Sequence, residues 1–202
     1  RNGARSRSFE PGAESRYSAA YFWEERNRWF SDVWDDVAGE RQSLANDDLR
    51  DRSAAFPFAI PYRLINMYSV YGDTVLDPFW GTGTTTTAAL VAGRNSIGWE
   101  RDAEFVASFA ERVDEIPALS RTVADERLGA HRAFVAENGG SDQFQYESET
   151  YGFPVTTKQE RRIRLYAADR VEPTDGGYRA VHSLHNAESG DVDPARADDA
   201  SR

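Results

Sequence analysis

Four residues in one stretch have the types and spacing for chemistry. They are Asp77, Gly81, Gly83 and Glu100, within VLDPFWGTGTTTTAALVAGRNSIGWERD at 75–102. Asp77 ends a short apolar segment, TVL. The turn DPFWGTG follows, and its two glycines let the backbone approach a ligand where a Cβ would clash. The amides that open the next helix point into the same space. Glu100 comes 19 residues after Gly81 and ends a second apolar segment. A carboxylate there can accept ribose hydroxyls. The pattern is strand, glycine turn, helix, strand and carboxylate, which is how an α/β protein holds a nucleotide-like cofactor.

The ligand is constrained by charge. A P-loop would place Lys and then Ser or Thr after the second glycine, but Thr84 and Thr85 follow Gly83. A dinucleotide fingerprint would place Gly or Ala at position 86, which is Thr86. Asp77 at the strand tip would also repel a pyrophosphate. S-adenosylmethionine has no phosphate and carries an ammonium and a sulfonium, so Asp77 suits it and Glu100 still serves the ribose. A structural turn that binds nothing is the remaining alternative.

These residues resemble the cofactor motif of the amino-group DNA methyltransferases, which modify N6 of adenine or N4 of cytosine. Asp77, Pro78, Phe79, Gly81, Thr82, Gly83, Thr84, Thr85, Gly93, Arg94, Ile97, Gly98 and Glu100 fit the family pattern. FPFAIPYRLI at 56–65 is similar to the segment the family carries just upstream, with Phe56 in place of a histidine, and SDVW at 31–34 resembles a stretch often found before it. The resemblance covers roughly 20–115. It implies a Rossmann-like S-adenosylmethionine-dependent α/β fold, incomplete here, with a small strand-containing C-terminal extension. It implies that Asp77 contacts the cofactor ammonium and that Phe79 walls the ligand. Gly81, Gly83 and Thr84 would make room and line the turn, Glu100 would bind ribose, and Ile60 and Pro61 would cover the methionine end.

One departure bears on activity. The family's catalytic motif is a polar residue, then Pro-Pro, then an aromatic, and no Pro-Pro pair occurs in these 202 residues. Where the cofactor motif comes late, the catalytic motif lies upstream. The chain is therefore expected to be the C-terminal, cofactor-binding part of a restriction-modification type of DNA methyltransferase, inactive alone, with double-stranded DNA and a missing N-terminal catalytic part as partners. The alternative is a remnant that binds S-adenosylmethionine or DNA without transfer.

The elements that position these residues follow from periodicity and breakers. Expected are a disordered N-terminus at 1–16, a cofactor-binding region at 17–140, a strand-rich extension at 141–185 and a disordered acidic tail at 186–202. The aromatics of 17–34 read chiefly as a packing flap, with a helix capped by Ser18 and running to Phe30. A stacking surface for bases or a cofactor ring is the sharper alternative. Pro61 suits the first turn of a helix whose face carries Leu64, Ile65, Tyr68 and Ser69. Asp102 can cap a helix with Val106, Phe109, Ala110 and Val113 on one face, broken by Pro117. A helix over 120–138 and two or three short strands complete the chain.

Composition sets further limits. The net charge is −10, with Lys158 the only lysine. That balance fits either a solvated acidic surface or a salt-rich, halophilic cytoplasm where ions screen carboxylate repulsion. It argues against gripping nucleic acid by net charge. Without cysteine there is no disulfide or thiolate chemistry. His131, His182 and His185 are too scattered to suggest a metal site. There is neither a membrane-length apolar run nor a signal peptide, so a cytoplasmic protein is expected. The arginines at 161, 162 and 164 read as a solvated strand edge, or as a phosphate contact.

Overall fold

The computed structural model describes residues 13–37, 56–139 and 144–186. The predicted N-terminal loop and acidic tail fall mostly outside these ranges.

The α/β character is carried by a parallel βαβ unit. Strand β1 (Thr74–Asp77) pairs with β2 (Asn95–Gly98) in the register Thr74↔Asn95 to Asp77↔Gly98. Between them runs a helix, Thr84–Val91, numbered α4 here after α1 (Glu14–Ser18), α2 (Trp23–Trp29) and α3 (Ala59–Tyr68). Ala88, Ala89, Leu90 and Val91 of α4 are buried. They pack with Tyr62 and Ile65 of α3 and with Phe109 of α5 (Ala103–Arg112). Small alanines let helix and strands approach closely, so this core forms around α4.

Arg94 ties the unit together. Its buried guanidinium donates to Asn66 Oδ1 (3.3 Å), to the Ser69 carbonyl (2.8 Å) and to the Ala92 carbonyl, while its Nε donates to Ser69 Oγ (3.0 Å). The loop ahead of β1 is thus pinned to the end of α4, and the guanidinium lies 4.8 Å from the Tyr71 ring centroid. This explains why Gly93 is followed by arginine: Gly93 takes φ +70°, and a Cβ there would meet Tyr71 at 3.0 Å.

A second core joins the segment around Phe22 to α6 (Ile116–Glu137) and to residues 163–165. Phe22 packs with Ala124 and Leu128 of α6 and with Ile163 and Leu165. Two antiparallel pairs complete the fold: β3 (Tyr146–Glu147) with β4 (Pro154–Val155), and β5 (Tyr166–Thr174) with β6 (Gly177–Leu184). Four strands thus stand where two or three were expected. The Ala168 amide donates to Ser120 Oγ at 2.9 Å, seating β5 on α6.

Several local expectations are corrected. Residues 14–18 are helical, and the aromatic segment forms two short helices rather than one. The break exists because α2 has its own N-terminal acceptors: Glu25 takes the Phe22 amide (2.8 Å) and Glu160 takes the Trp23 amide (2.8 Å). Phe22 and Trp29 are buried, as a packing flap requires, but Trp23, Tyr17 and Tyr21 are only half-buried. On α3 the buried face is Pro61, Tyr62, Ile65 and Asn66, while Leu64 and Tyr68 face outward. On α5 Phe109 is buried but Val106 is 47% exposed. Pro117 opens α6 instead of ending a helix, since a proline in the first turn removes an amide that has no helical acceptor.

Candidate functional site

Two carboxylates lie at the same edge of the parallel pair: Asp77 ends β1, and Glu100 follows the end of β2 by two residues. The turn between β1 and α4 is closed by backbone bonds. Trp99 N donates to Asp77 O (2.9 Å), Trp80 N to Trp99 O (3.1 Å) and Gly83 N to Trp80 O (2.9 Å). Asp77 Oδ1 accepts the Phe79 amide at 3.0 Å, an Asx turn that starts the loop. Glu100 Oε2 accepts the Gly81 amide at 2.8 Å, and its Oε1 accepts those of Arg101 (2.7 Å) and Asp102 (2.8 Å). The Asp102, Gly81 and Arg101 amides hold the Glu100 carboxyl below its usual range. A carboxylate offers about four acceptor positions, so among the described residues one on Oε2 takes no partner. Among the described residues no cation pairs with Asp77 or Glu100.

The two glycines do different work. Gly81, at φ +54°, faces open space, with only the Phe79 carbonyl within reach of a Cβ placed there (3.9 Å). Gly83, at φ +78°, caps α4, and a Cβ there would meet Phe109 at 2.5 Å and Trp80 at 3.0 Å. Its close approach is to protein side chains. Thr84 opens α4 and lines a cavity of about 260 Å³ with Phe56, Pro57, Phe58 and Arg112. The segment before α3 therefore reaches the start of α4 through residues 56–58. Ile60 and Pro61 lie one turn further on, half-buried and buried, away from that cavity.

Two side chains that sequence reasoning missed shape the turn. The Trp80 indole folds back over Gly98 of β2, where any Cβ would overlap it. Its Nε1 donates to Thr86 Oγ1 at 2.6 Å, and Thr86 Oγ1 meets Ser96 Oγ at 2.8 Å. Arg112 donates to the Thr82 carbonyl at 2.6 Å, fixing the turn from the α5 side. The one sequence signal was Gly98 itself, a glycine inside a strand. Phe79 is 89% exposed and Trp99 75% exposed, so two large rings flank the carboxylates with nothing over them.

The arginines at 161, 162 and 164 are paired with acids: Arg161 with Glu149 (3.0 Å), and Arg162 and Arg164 with Glu14 (2.8 and 3.2 Å). They sit in and after a 3₁₀ turn, Glu160–Arg162, ahead of β5. Three side chains with metal-ligand chemistry also gather, Glu24, His131 and Glu160. His131 Nε2 donates to the Pro154 carbonyl (2.9 Å), its Nδ1 lies 3.0 Å from Glu24 Oε1, and both Glu160 oxygens accept backbone amides. The group is engaged in anchoring α2.

Residues 4–111 match the family model for DNA methylases that act at N6 and N4 positions. The chain belongs to that DNA methylase family. It is 51% identical over 166 residues to the type II methyltransferase M.MthZI of Methanothermobacter thermautotrophicus, covering 82% of this chain and 46% of that protein. It is 48% identical over 107 residues to the type II methyltransferase M.MjaI of Methanocaldococcus jannaschii, covering 53% of this chain and 34% of that one. The chain thus spans less than half the length of these curated relatives. Among solved structures it is similar to a protein of Thermus thermophilus described as a DNA modification methylase, complexed with S-adenosyl-L-methionine. There the identity is 33%, the TM-score 0.41, and the match covers 52% of this chain and 37% of that one. As a member of the family the chain has the Rossmann-like α/β fold, seen here in the β1–α4–β2 unit. Among the described residues no helix is long and apolar enough to cross a membrane.

Proposed function

We propose that this chain is the cofactor-binding part of a DNA amino-methyltransferase that takes its methyl group from S-adenosyl-L-methionine. The observation that carries the proposal is the pair of strand-tip carboxylates, Asp77 and Glu100. Neither is ion-paired among the described residues, and they flank a glycine turn that faces open space. A cationic ligand with vicinal hydroxyls fits this arrangement, and an anionic one does not.

In this proposal Asp77 takes the ammonium, directly or through water. Gly81 leaves room for the ligand, Gly83 and Thr84 present the first amides of α4, and Phe79 walls one side. Glu100 receives a ribose hydroxyl at its open Oε2 position, and both hydroxyls once the Gly81 amide is released. Ile60 and Pro61 position the residues that cover the methionine end. The bound sulfonium supplies an electrophilic methyl group. The chain's residues supply orientation and a fixed electrostatic environment, which are the main sources of rate for such a transfer.

The acceptor is the exocyclic amine of adenine (N6) or cytosine (N4) in double-stranded DNA, flipped from the duplex at a cost of a few kcal/mol. The Pro-Pro-aromatic motif that would hold it is absent from this sequence. A further N-terminal part of the same protein would contribute it, in a restriction-modification setting. The same absence supports a second reading, a remnant that binds S-adenosyl-L-methionine or DNA without transfer.

A radiolabelled methyl-transfer assay on duplex DNA separates the two. The chain extended upstream to the length of its relatives should label DNA, with the label in N6-methyladenine or N4-methylcytosine after digestion, and this chain alone should not. No label from the extended protein would favour the remnant.

A further inference from the structure

We infer that the cleft at the amino-terminal end of β1 is a second ligand site, one that takes a nucleotide phosphate with its base stacked on the cleft's aromatic rings. The cleft measures about 950 Å³. Asn66 to Val70 line it, ahead of β1, whereas Asp77 ends that strand. A four-residue strand spans about 10 Å, so the cleft is separate from the glycine turn. The inference does not rest on the function proposed for that turn.

The charge of the lining is opposite to that of the chain. Arg16, Arg26 and Lys158 line the cleft, and none is in an ion pair among the described residues. Their neighbours Arg161, Arg162 and Arg164 are all paired, so unpaired cations are not a general feature of this region. Among the described residues the acidic side chain in the lining is Glu160, 2% exposed. Its Oε1 accepts the Trp23 amide at 2.8 Å and its Oε2 accepts the Thr157 amide at 2.5 Å. Its charge is therefore held by the start of α2, while the cations remain exposed. A chain of net charge −10 keeps three cations together here that have no acidic partner among the described residues.

The rings complete the chemistry. Tyr17, Tyr21, Trp23 and Tyr68 line the same cleft. Tyr68 is 74% exposed, and the other three are half-buried. The Arg26 guanidinium lies 5.5 Å from the Trp23 ring centroid, so ring and cation are presented together. Bases stack on such rings whatever their identity, and guanidinium groups grip phosphate with charge-assisted hydrogen bonds. Tyr17 already lies under the Arg162 guanidinium and Tyr21 packs on Trp29 and Phe30, so Trp23 and Tyr68 are the stacking rings; an aliphatic anion would leave them unused, and a neutral aromatic would leave the cations unused. Two sources share the required chemistry: a free nucleotide, and a single strand of nucleic acid.

Fluorescence anisotropy on the intact chain tests this, using labelled ATP and a labelled oligothymidylate of about 12 nucleotides, within the usual site sizes for single strands. Wild type should bind at least one of the two probes. With three phosphate contacts, affinity for the strand should fall roughly 20-fold between about 50 and about 200 mM KCl. The triple variant Arg16→Gln, Arg26→Gln, Lys158→Gln should lose roughly tenfold or more at low salt, and Trp23→Leu should lose roughly tenfold at any salt. Asp77→Ala should bind as wild type does. Binding of the strand alone assigns the site to single-stranded nucleic acid, and equal binding of both probes assigns it to nucleotides. The inference is overturned if wild type binds neither probe, if the triple variant binds unchanged, if affinity ignores salt, or if Asp77→Ala abolishes binding. Circular dichroism of each variant reports its folding, and the salt dependence of wild type stands without any variant.

Discussion

Glu100 Oε2 accepts the amide of Gly81 at 2.8 Å, so the carboxylate two residues beyond β2 holds the glycine turn that follows β1. Three amides share that carboxylate and hold its pKa down, Asp102 foremost. The sign follows: a lowered folded pKa stabilises above the unfolded carboxylate range, near about 4.3, and that stability is lost as pH falls through the lower folded value. Glu100→Gln keeps one acceptor oxygen and removes the charge. Melting curves between about pH 3 and about pH 6 should show wild type losing more stability on acidification than the variant. Parallel curves would contradict this role.

Gly98 and Trp80 should be energetically coupled. A methyl group on Gly98 has no space beneath the indole, so Gly98→Ala should cost about 1–3 kcal/mol through overpacking. In a Trp80→Leu background the same change should cost markedly less. A double-mutant cycle by urea denaturation measures the difference, and additive effects would show that the indole does not set the limit.

Glu25 and Arg127 form a buried pair, with Arg127 Nε and the second guanidinium nitrogen 2.5 and 2.7 Å from the two carboxylate oxygens. Glu25 is 2% exposed. Glu25→Ala leaves a buried guanidinium without its anion and should cost about 3–5 kcal/mol. Glu172→Ala, which breaks the exposed pair with Arg170, is the control and should leave the melting temperature unchanged. Equal small effects would mean that Arg127 relaxes to water.

The anchor of α2 makes stability fall on the alkaline side. Burial opposes charge on His131, but the Glu24 carboxylate and the Pro154 carbonyl outweigh it and raise its pKa, while burial raises that of Glu160. A raised folded pKa stabilises fully below the unfolded value, about 6.5 for histidine, and the contribution is lost as pH rises through the folded value. Wild type should therefore melt lower as pH rises from about 6 to about 9. His131→Gln should show a shallower slope, since Glu160 remains in both. Identical slopes would remove His131 as the source.

What the sequence made legible was local. The β1–α4–β2 unit could be read because Asp77, Gly81, Gly83 and Glu100 lie within 24 positions, and their types alone set the turn and its charge. Helix faces were harder to read. Ile65 and Leu64 are adjacent and equally apolar, and only the position of α4 decides which is buried. The same holds for Phe109 against Val106. Contacts between distant positions were not readable at all. Glu24 meets His131 across 107 positions and Glu160 meets Trp23 across 137, so of the two acceptors that start α2 only Glu25 was local to it. Gly83 was read as making room for a ligand, yet Phe109 occupies the space beside it, a fact held by α5.

Titration calorimetry of the chain with S-adenosyl-L-methionine tests the central claim most directly. Wild type should bind at a ratio of one to one. Asp77→Ala should weaken binding roughly tenfold to a hundredfold, the range for a lost hydrogen bond to a charged group, and Glu100→Ala should weaken it comparably. No heat of binding with folded wild type, or affinity unchanged in both variants, would contradict the assignment of the two strand-tip carboxylates to the cofactor.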